Sequence, residues 1–430
     1  MRRIVLLLLA SLALLCSCGK GGGSGGGDAR FRVLNASTGY TSLDVYSNDQ
    51  NKDDDDTQRF SAVSYGNLSD YVSLKAATYT LDFRRGGAST SLLSLASQAL
   101  AEDTTTTYVS YGSTGHFAVY KISDDVADAD SGKTKITVIN VSEAGNLDVY
   151  FTDANIALSD TSPQITTVGN GSSLGATVNS ATYRMRITGA GDNTDIRLDV
   201  PGIAFTSKQV ITIILTPTPG GVLVNALALP QQGTVTAYAN TKARVRGAVG
   251  MSNGTKATLN VGGTTLLSNS TVGIISNTYQ QVTAGSQAVT VLVDGVAATV
   301  PNKTLTAGSD YTLLVWSDST GTQASFIGDD NRAPEGSGNV KIRLMNGMSG
   351  LGGPISYTVN FSPTADDIAV GAASPYSEIA AGSDFQIDVK DALTSSALFS
   401  RTGVSLTSGA VYTMFMYSGS TPSATLRRDR

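Results

Sequence analysis

Cys18 carries the most definite chemistry in the chain. It closes the segment Leu15-Cys16-Ser17-Cys18, with an apolar residue three places before the cysteine and a small one directly before it. That is the pattern of a bacterial lipobox. Arg2, Arg3 and the apolar run 4–15 precede it. The run has the length of a signal-peptide core and is too short to span a bilayer. Cleavage before Cys18 is expected to leave a lipidated N-terminal cysteine, so the membrane becomes a partner through its lipid. Gly19 follows. In a Gram-negative envelope Asp at that place retains a lipoprotein at the inner membrane, so Gly19 favours an outer-membrane anchor facing the periplasm or the surface.

Carboxylates are the next candidates. Asp53, Asp54, Asp55 and Asp56 run consecutively, and Ca²⁺ takes several oxygen ligands. The run lacks the alternation and the central Gly of an EF-hand loop, so a solvated loop is favoured over a metal site. Asp124, Asp125, Asp128 and Asp130 form a second acidic patch at an expected module junction, with the same two readings. Asp44 and Asp148 sit at matching places in a repeat, where Asn260 and Thr358 are the expected equivalents. A polar residue there can simply bind neighbouring backbone.

Nucleophilic and metal-assisted catalysis find little support. His116 is the single histidine, so any Ser-His-Asp triad or His-based metal site would have to use it. It lies in the Gly-rich turn 112–116, without a Gly-x-Ser-x-Gly elbow. A carboxylate-pair glycosidase is the enzymatic alternative, but small β-modules offer it no obvious cleft. Gly352-Gly353 leads into Pro354 and a strand, which rules out a phosphate cradle at a helix start. Trp316, Tyr111, Tyr120 and Tyr417 end apolar strands. On a shared face they could stack on sugar rings or on a protein partner; core packing is the competing role. No cofactor is indicated.

Composition limits the partners. Loss of Arg2 and Arg3 with the leader takes the 30 basic residues to 28, against 35 acidic. A mildly acidic chain without a basic cluster is not built for nucleic acid. Both cysteines, Cys16 and Cys18, lie in the leader region, so no disulfide is expected in the folded part. The Gly-rich stretch 20–27 reads as a flexible tether.

These residues need elements to hold them, and the elements repeat. Phe31-Arg32-Val33-Leu34-Asn35 returns as Ile136-Thr137-Val138-Ile139-Asn140, as Ala243-Arg244-Val245-Arg246-Gly247 and as Ile342-Arg343-Leu344-Met345-Asn346. Equating Asn35, Asn140, Gly247 and Asn346 gives spacings of 105, 107 and 99 residues. That is the size of whole modules rather than of solenoid repeats. A second element recurs at 79–83, 183–187, 289–293 and 385–389, and in copies one, two and four it alternates apolar and polar residues like half-buried strands. A third, at 108–111, 210–214, 311–315 and 412–416, is more continuously apolar, as expected of central strands. Helical signals are few; 94–102 could be a short helical turn or a strand. The spacing of strands and turns is that of Ig-like antiparallel sandwiches.

The opening Asn35-Ala36-Ser37 leading to Leu43-Asp44-Val45-Tyr46, and Asn140-Val141-Ser142 leading to Leu147-Asp148-Val149-Tyr150, resemble bacterial extracytoplasmic domains named domain of unknown function 4397. The segment 71–79 resembles that family's middle turn and strand. The His and Pro of the family's opening loop are absent here. The resemblance implies an Ig-like sandwich outside the cytoplasm and implies no activity.

The expected architecture is all-β: a signal peptide (1–17), a lipidated cysteine and tether (18–27), then four tandem Ig-like antiparallel β-sandwiches at 28–130, 131–238, 239–336 and 337–430. The expected shape is a beaded rod. The expected role is non-catalytic binding, adhesion or structural spacing at the cell envelope, with a glycan or protein partner. A carbohydrate-binding accessory protein and, further off, a carboxylate-based hydrolase are the alternatives.

Overall fold

The structure is a computed structural model and describes residues 27–52 and 56–430. Cys18, the leader, most of the tether, and Asp53, Asp54 and Asp55 lie outside the described residues. Among the described residues no helix is long and apolar enough to cross a membrane.

The first module contains β1 (Asp28–Asn35), β2 (Ser42–Asp49), β3 (Thr57–Ser64), β4 (Val72–Lys75), β5 (Ala77–Arg85), β6 (Ser91–Leu100), β7 (Thr105–Tyr111) and β8 (Ala118–Ser123). They form two sheets, ordered β4-β1-β7-β8 and β3-β2-β5-β6. In β5, Tyr79, Leu81 and Phe83 are buried while Thr80 and Asp82 are only partly so. This is the period-2 pattern of a strand with one face on a core. The core gathers Phe31, Val33, Val45, Leu81, Phe83 and Tyr108. The ambiguous stretch 94–102 lies mostly in strand β6, whose Gln98 and Leu95 face Tyr79 and Leu81 of β5.

The sheets are not wholly antiparallel. β1 and β7 pair in parallel, with Arg32 opposite Thr107. The same parallel pair recurs in each later module, with Thr137 opposite Thr212, Arg246 opposite Thr312 and Arg343 opposite Thr413. This register makes Arg32, Thr137, Arg246 and Arg343 equivalent. Val249, not Gly247, therefore corresponds to Asn35. A two-residue slip leaves the in/out alternation of a strand unchanged, so the sequence pattern could not detect it.

The repeated Asn is a loop anchor. Asn140 Nδ2 donates to Gly145 O at 2.8 Å and Val168 O at 2.9 Å. Asn35 Nδ2 likewise donates to Tyr40 O and Val63 O.

The modules dock in pairs instead of forming separate beads. The face of the β1/β7 sheet turned away from its own core is also apolar. In modules one and two, Leu34, Val109, Ile139, Ile214, Leu227 and Leu229 make one buried cluster. In modules three and four, Ala248, Ile275, Leu314, Met345 and Phe415 do the same from equivalent positions. A strand buried on both faces reads as a continuous apolar run, which is why the third repeated element lacks alternation. The third and fourth modules approach closely at Gly250, where a Cβ would lie 2.2 Å from Gly347 O. Arg430 then ties the pairs together. Its guanidinium donates to Gly221 O at 3.1 Å, Asn331 O at 3.0 Å and Glu143 O at 2.6 Å.

Candidate functional site: the charge layer between modules

A polar layer crosses modules one, three and four at the docking face. In module one, β1 supplies Arg32, β7 supplies Thr107, the residue before β4 is Tyr71 and the residue after β8 is Asp124. Arg32 Nε donates to Thr107 Oγ1 at 2.8 Å and lies 3.6 Å from Asp124 Oδ2. Tyr71 OH and Thr107 Oγ1 both donate to that same oxygen, at 2.6 and 2.5 Å. The guanidinium also lies over the Tyr71 ring, 4.4 Å from its centroid, a favourable cation–π geometry. Burial and the adjoining Asp124 push the Tyr71 hydroxyl far above the usual phenol range.

Modules three and four carry the same set twice, and the two sets interlock. Arg246, Thr312, Tyr279 and Asp329 match the first module's four residues, as do Arg343, Thr413, Tyr376 and Asp429. Each arginine bonds its own threonine: Arg246 Nε to Thr312 at 2.9 Å and Arg343 Nε to Thr413 at 3.0 Å. Each then reaches the carboxylate of the other module. Arg246 Nη1 pairs with Asp429 Oδ1 at 2.5 Å, and Arg343 Nη2 pairs with Asp329 Oδ1. Arg343 Nη1 also donates to Gly328 O at 3.0 Å. Both arginines lie over a tyrosine, Arg246 over Tyr279 at 4.7 Å and Arg343 over Tyr376 at 4.6 Å. Burial works to raise the Asp329 carboxyl, and the guanidinium groups of Arg343 and Arg246 overcome it, so the carboxyl sits below its ordinary range. In this layer the guanidinium groups of Arg246 and Arg343 are met by the carboxylates of Asp329 and Asp429.

Module two lacks the set. Thr137 stands for the arginine, Gln231 for the aspartate, and Gly175, opposite Thr137 on the neighbouring strand, for the tyrosine. A cleft of about 590 Å³ opens there, lined by Ser123, Asp124, Lys135, Thr137, Gly175, Thr212 and Gln231 among others.

The residues singled out from the sequence fall elsewhere. Asp56 is held by Arg84, whose Nη2 donates to both carboxylate oxygens at 3.0 and 2.8 Å. Among the described residues no group of three or more His, Cys, Asp or Glu could hold a metal ion. Asp44 takes the backbone N–H of Ala62 at 2.7 Å and of Gly87 at 2.9 Å. Asp148 does the same with Thr167 and Gly191. Ala62 and Thr167 are the positive-φ residues of β-bulges, so each carboxylate clamps a bulge. Thr258 and Ser356, rather than Asn260 and Thr358, take this place in modules three and four, accepting from Asn269 and Asp367. The sequence match was again two residues out.

His116 is exposed, 3.4 Å from Glu335. Trp316 and Tyr417 pack against the buried cluster between modules three and four, and Tyr111 and Tyr120 against the cluster between one and two. All four aromatic residues do share faces, and neighbouring modules cover those faces. Sequence reasoning missed the arginine layer. Its signal was a cation at the wrong parity for a solvent face, between Phe31 and Val33, repeated between Val245 and Gly247 and between Ile342 and Leu344. Asp124 entered only as one member of an acidic patch.

Comparison with known proteins agrees with the family resemblance. Residues 29–150 match the family described as Domain of unknown function (DUF4397). No curated protein matches the chain. Among solved structures, CBMbc, the CBM26-family module of Eubacterium rectale Amy13K in complex with maltoheptaose, aligns at 10% identity. It covers 49% of this chain and 96% of that one, with a TM-score of 0.16. The Bacillus anthracis TIE protein aligns at 8% identity over 91% of this chain and 69% of that one, with a TM-score of 0.15. At those TM-scores neither likeness bears on fold or ligand.

Proposed function

We propose, with the match of residues 29–150 to the family described as Domain of unknown function (DUF4397) as support, that the protein is a lipid-anchored, non-catalytic binding scaffold of the cell envelope. The interlocked charge layer carries this reading. Its arginines and carboxylates neutralise one another between modules, and its two tyrosines stack on the arginines. Groups that could otherwise act on a substrate are used to fix one module against the next. A molecule built this way presents a fixed surface on a flexible tether, which suits capture, adhesion or spacing. The lipobox at Cys18 and the Gly-rich stretch behind it support the anchor.

Fractionation of cells expressing the wild-type chain and Cys18→Ser tests the anchor. Wild type in the outer-membrane fraction, with the serine variant released as a soluble protein, is the expected result. Equal membrane retention of both would overturn it. Protease added to intact cells then separates a surface scaffold, which is cleaved, from a periplasmic one, which is protected until the outer membrane is permeabilised.

A further inference from the structure

We propose that the cleft between modules one and two binds the guanidinium of an arginine side chain on a polypeptide partner. This names the ligand chemistry for the scaffold and rests on the binding role proposed above.

The two docked pairs are built on equivalent positions, so each can be checked against the other. Arg343 touches three acceptors: Thr413 Oγ1, Gly328 O and Asp329 Oδ1. Their equivalents in the first pair are Thr212, Ser123 and Asp124. All three line the cleft. The residue equivalent to Arg343 is Thr137, which has no guanidinium to offer them, and the equivalent of Tyr376 is Gly175. The cleft therefore occupies the place that an arginine and a tyrosine fill in the other pair.

The acceptor end is already set. Asp124 is 2% exposed. Tyr71, Thr107 and Arg32 all approach its Oδ2. Oδ1, whose counterpart on Asp329 takes Arg343, receives none of these. Lys135 lines the cleft as well, and its ammonium donates to Ala127 O and Asp128 O at 2.7 and 3.0 Å. Its equivalent, Lys341, does the same to Asp330 O and Arg332 O and coexists with Arg343. A lysine there thus leaves room for a guanidinium. A planar fork that can satisfy a carboxylate and a carbonyl together favours arginine over lysine.

Calorimetric titration of the protein beginning at Cys18→Ser with the amide of Gly-Arg-Tyr, against Gly-Lys-Tyr, tests the site. Saturable binding of the arginine peptide is expected, with the lysine peptide weaker by about tenfold or more. Thr137→Arg supplies the missing guanidinium from within. It is expected to abolish peptide binding and to raise the melting temperature. Asp124→Asn should also abolish binding, and Thr137→Arg keeps the test valid if that variant fails to fold. No binding by wild type, equal binding of both peptides, retained binding in Thr137→Arg or its failure to fold would each overturn the proposal. N-acetylarginine amide, binding as tightly as the peptide, would assign the site to a free guanidinium compound and overturn the polypeptide partner. None of these outcomes depends on the membrane fractionation, so the two readings fail separately.

Discussion

Arg246 and Arg343 exchange carboxylates across the boundary between the third and fourth modules: Arg246 pairs with Asp429 and Arg343 with Asp329. The two arginines are 1% exposed each and Asp329 is 4% exposed. Neither module can satisfy its own buried arginine fully without the other. Apolar surface drives the docking, while this exchange sets its register, because a displaced pair would leave ions buried without partners.

Removing one member should therefore cost more than a surface ion pair is worth. Asp329→Asn leaves two buried guanidinium groups short of a carboxylate and should destabilise the second pair by about 3–5 kcal/mol. Urea unfolding followed by the fluorescence of Trp316, the single tryptophan, measures it. A loss under about 1 kcal/mol, the range of an exposed pair, would show that the layer does not lock the interface.

Phe415 is fully buried at the same boundary, against Leu314 and Met345. Phe415→Ala should cost about 3–5 kcal/mol and shift Trp316 emission to the red as water reaches the opened seam. Gly250→Ala should act by another route, forcing a Cβ to within 2.2 Å of Gly347 O. In small-angle scattering its maximum dimension should grow relative to wild type. An unchanged profile would mean that the backbone contact yields without undocking.

Asp44 and Asp148 each hold two backbone amides at a bulge. Replacement by Ala strands those donors, with an expected cost of about 1–3 kcal/mol for each site. Added Ca²⁺ should leave the melting temperature of wild type and variants alike unchanged. A calcium-dependent rise would assign these carboxylates a metal instead.

Acid should loosen the segment joining the third and fourth modules. Burial works to raise the Asp330 carboxyl, but hydrogen bonds from Arg332 and Lys341 hold it down to about 2, from an ordinary 3.8. A carboxyl lowered by folding stabilises the folded state above its unfolded value, and that contribution is lost as pH falls through the folded value. The loss should fall between pH of about 4 and about 2. Melts of wild type and Asp330→Asn across that window should converge toward the acid end. A constant gap would show that Asp330 does not titrate there.

Several features of this fold can be read directly from local residue order. Alternation marks Tyr79, Leu81 and Phe83 as one buried face, because a strand turns successive side chains to opposite sides. The recurrent Asn35 and Asn140 mark the opening loop, since an amide can bond two carbonyls and an N–H at once. The four-fold recurrence marks the modules. In module three the assignments of Gly247, of Asn260 and of the segment 289–293 came out two residues off, as did Thr358 in module four, because a slip of two preserves every in/out relation along a strand.

The sequence by itself determined the strands, the repeat and the class of fold, since each depends on residues close along the chain. Only the tertiary structure decided that modules dock in pairs. An apolar run such as 412–416 reads the same whether its second face meets its own sandwich or a neighbour. Only the tertiary structure brought Arg246 to Asp429, 183 residues away, and set Thr137 and Gly175 where another module carries an arginine and a tyrosine. Those relations arise from the packing of one sheet face on another, and no local pattern encodes which face will meet which.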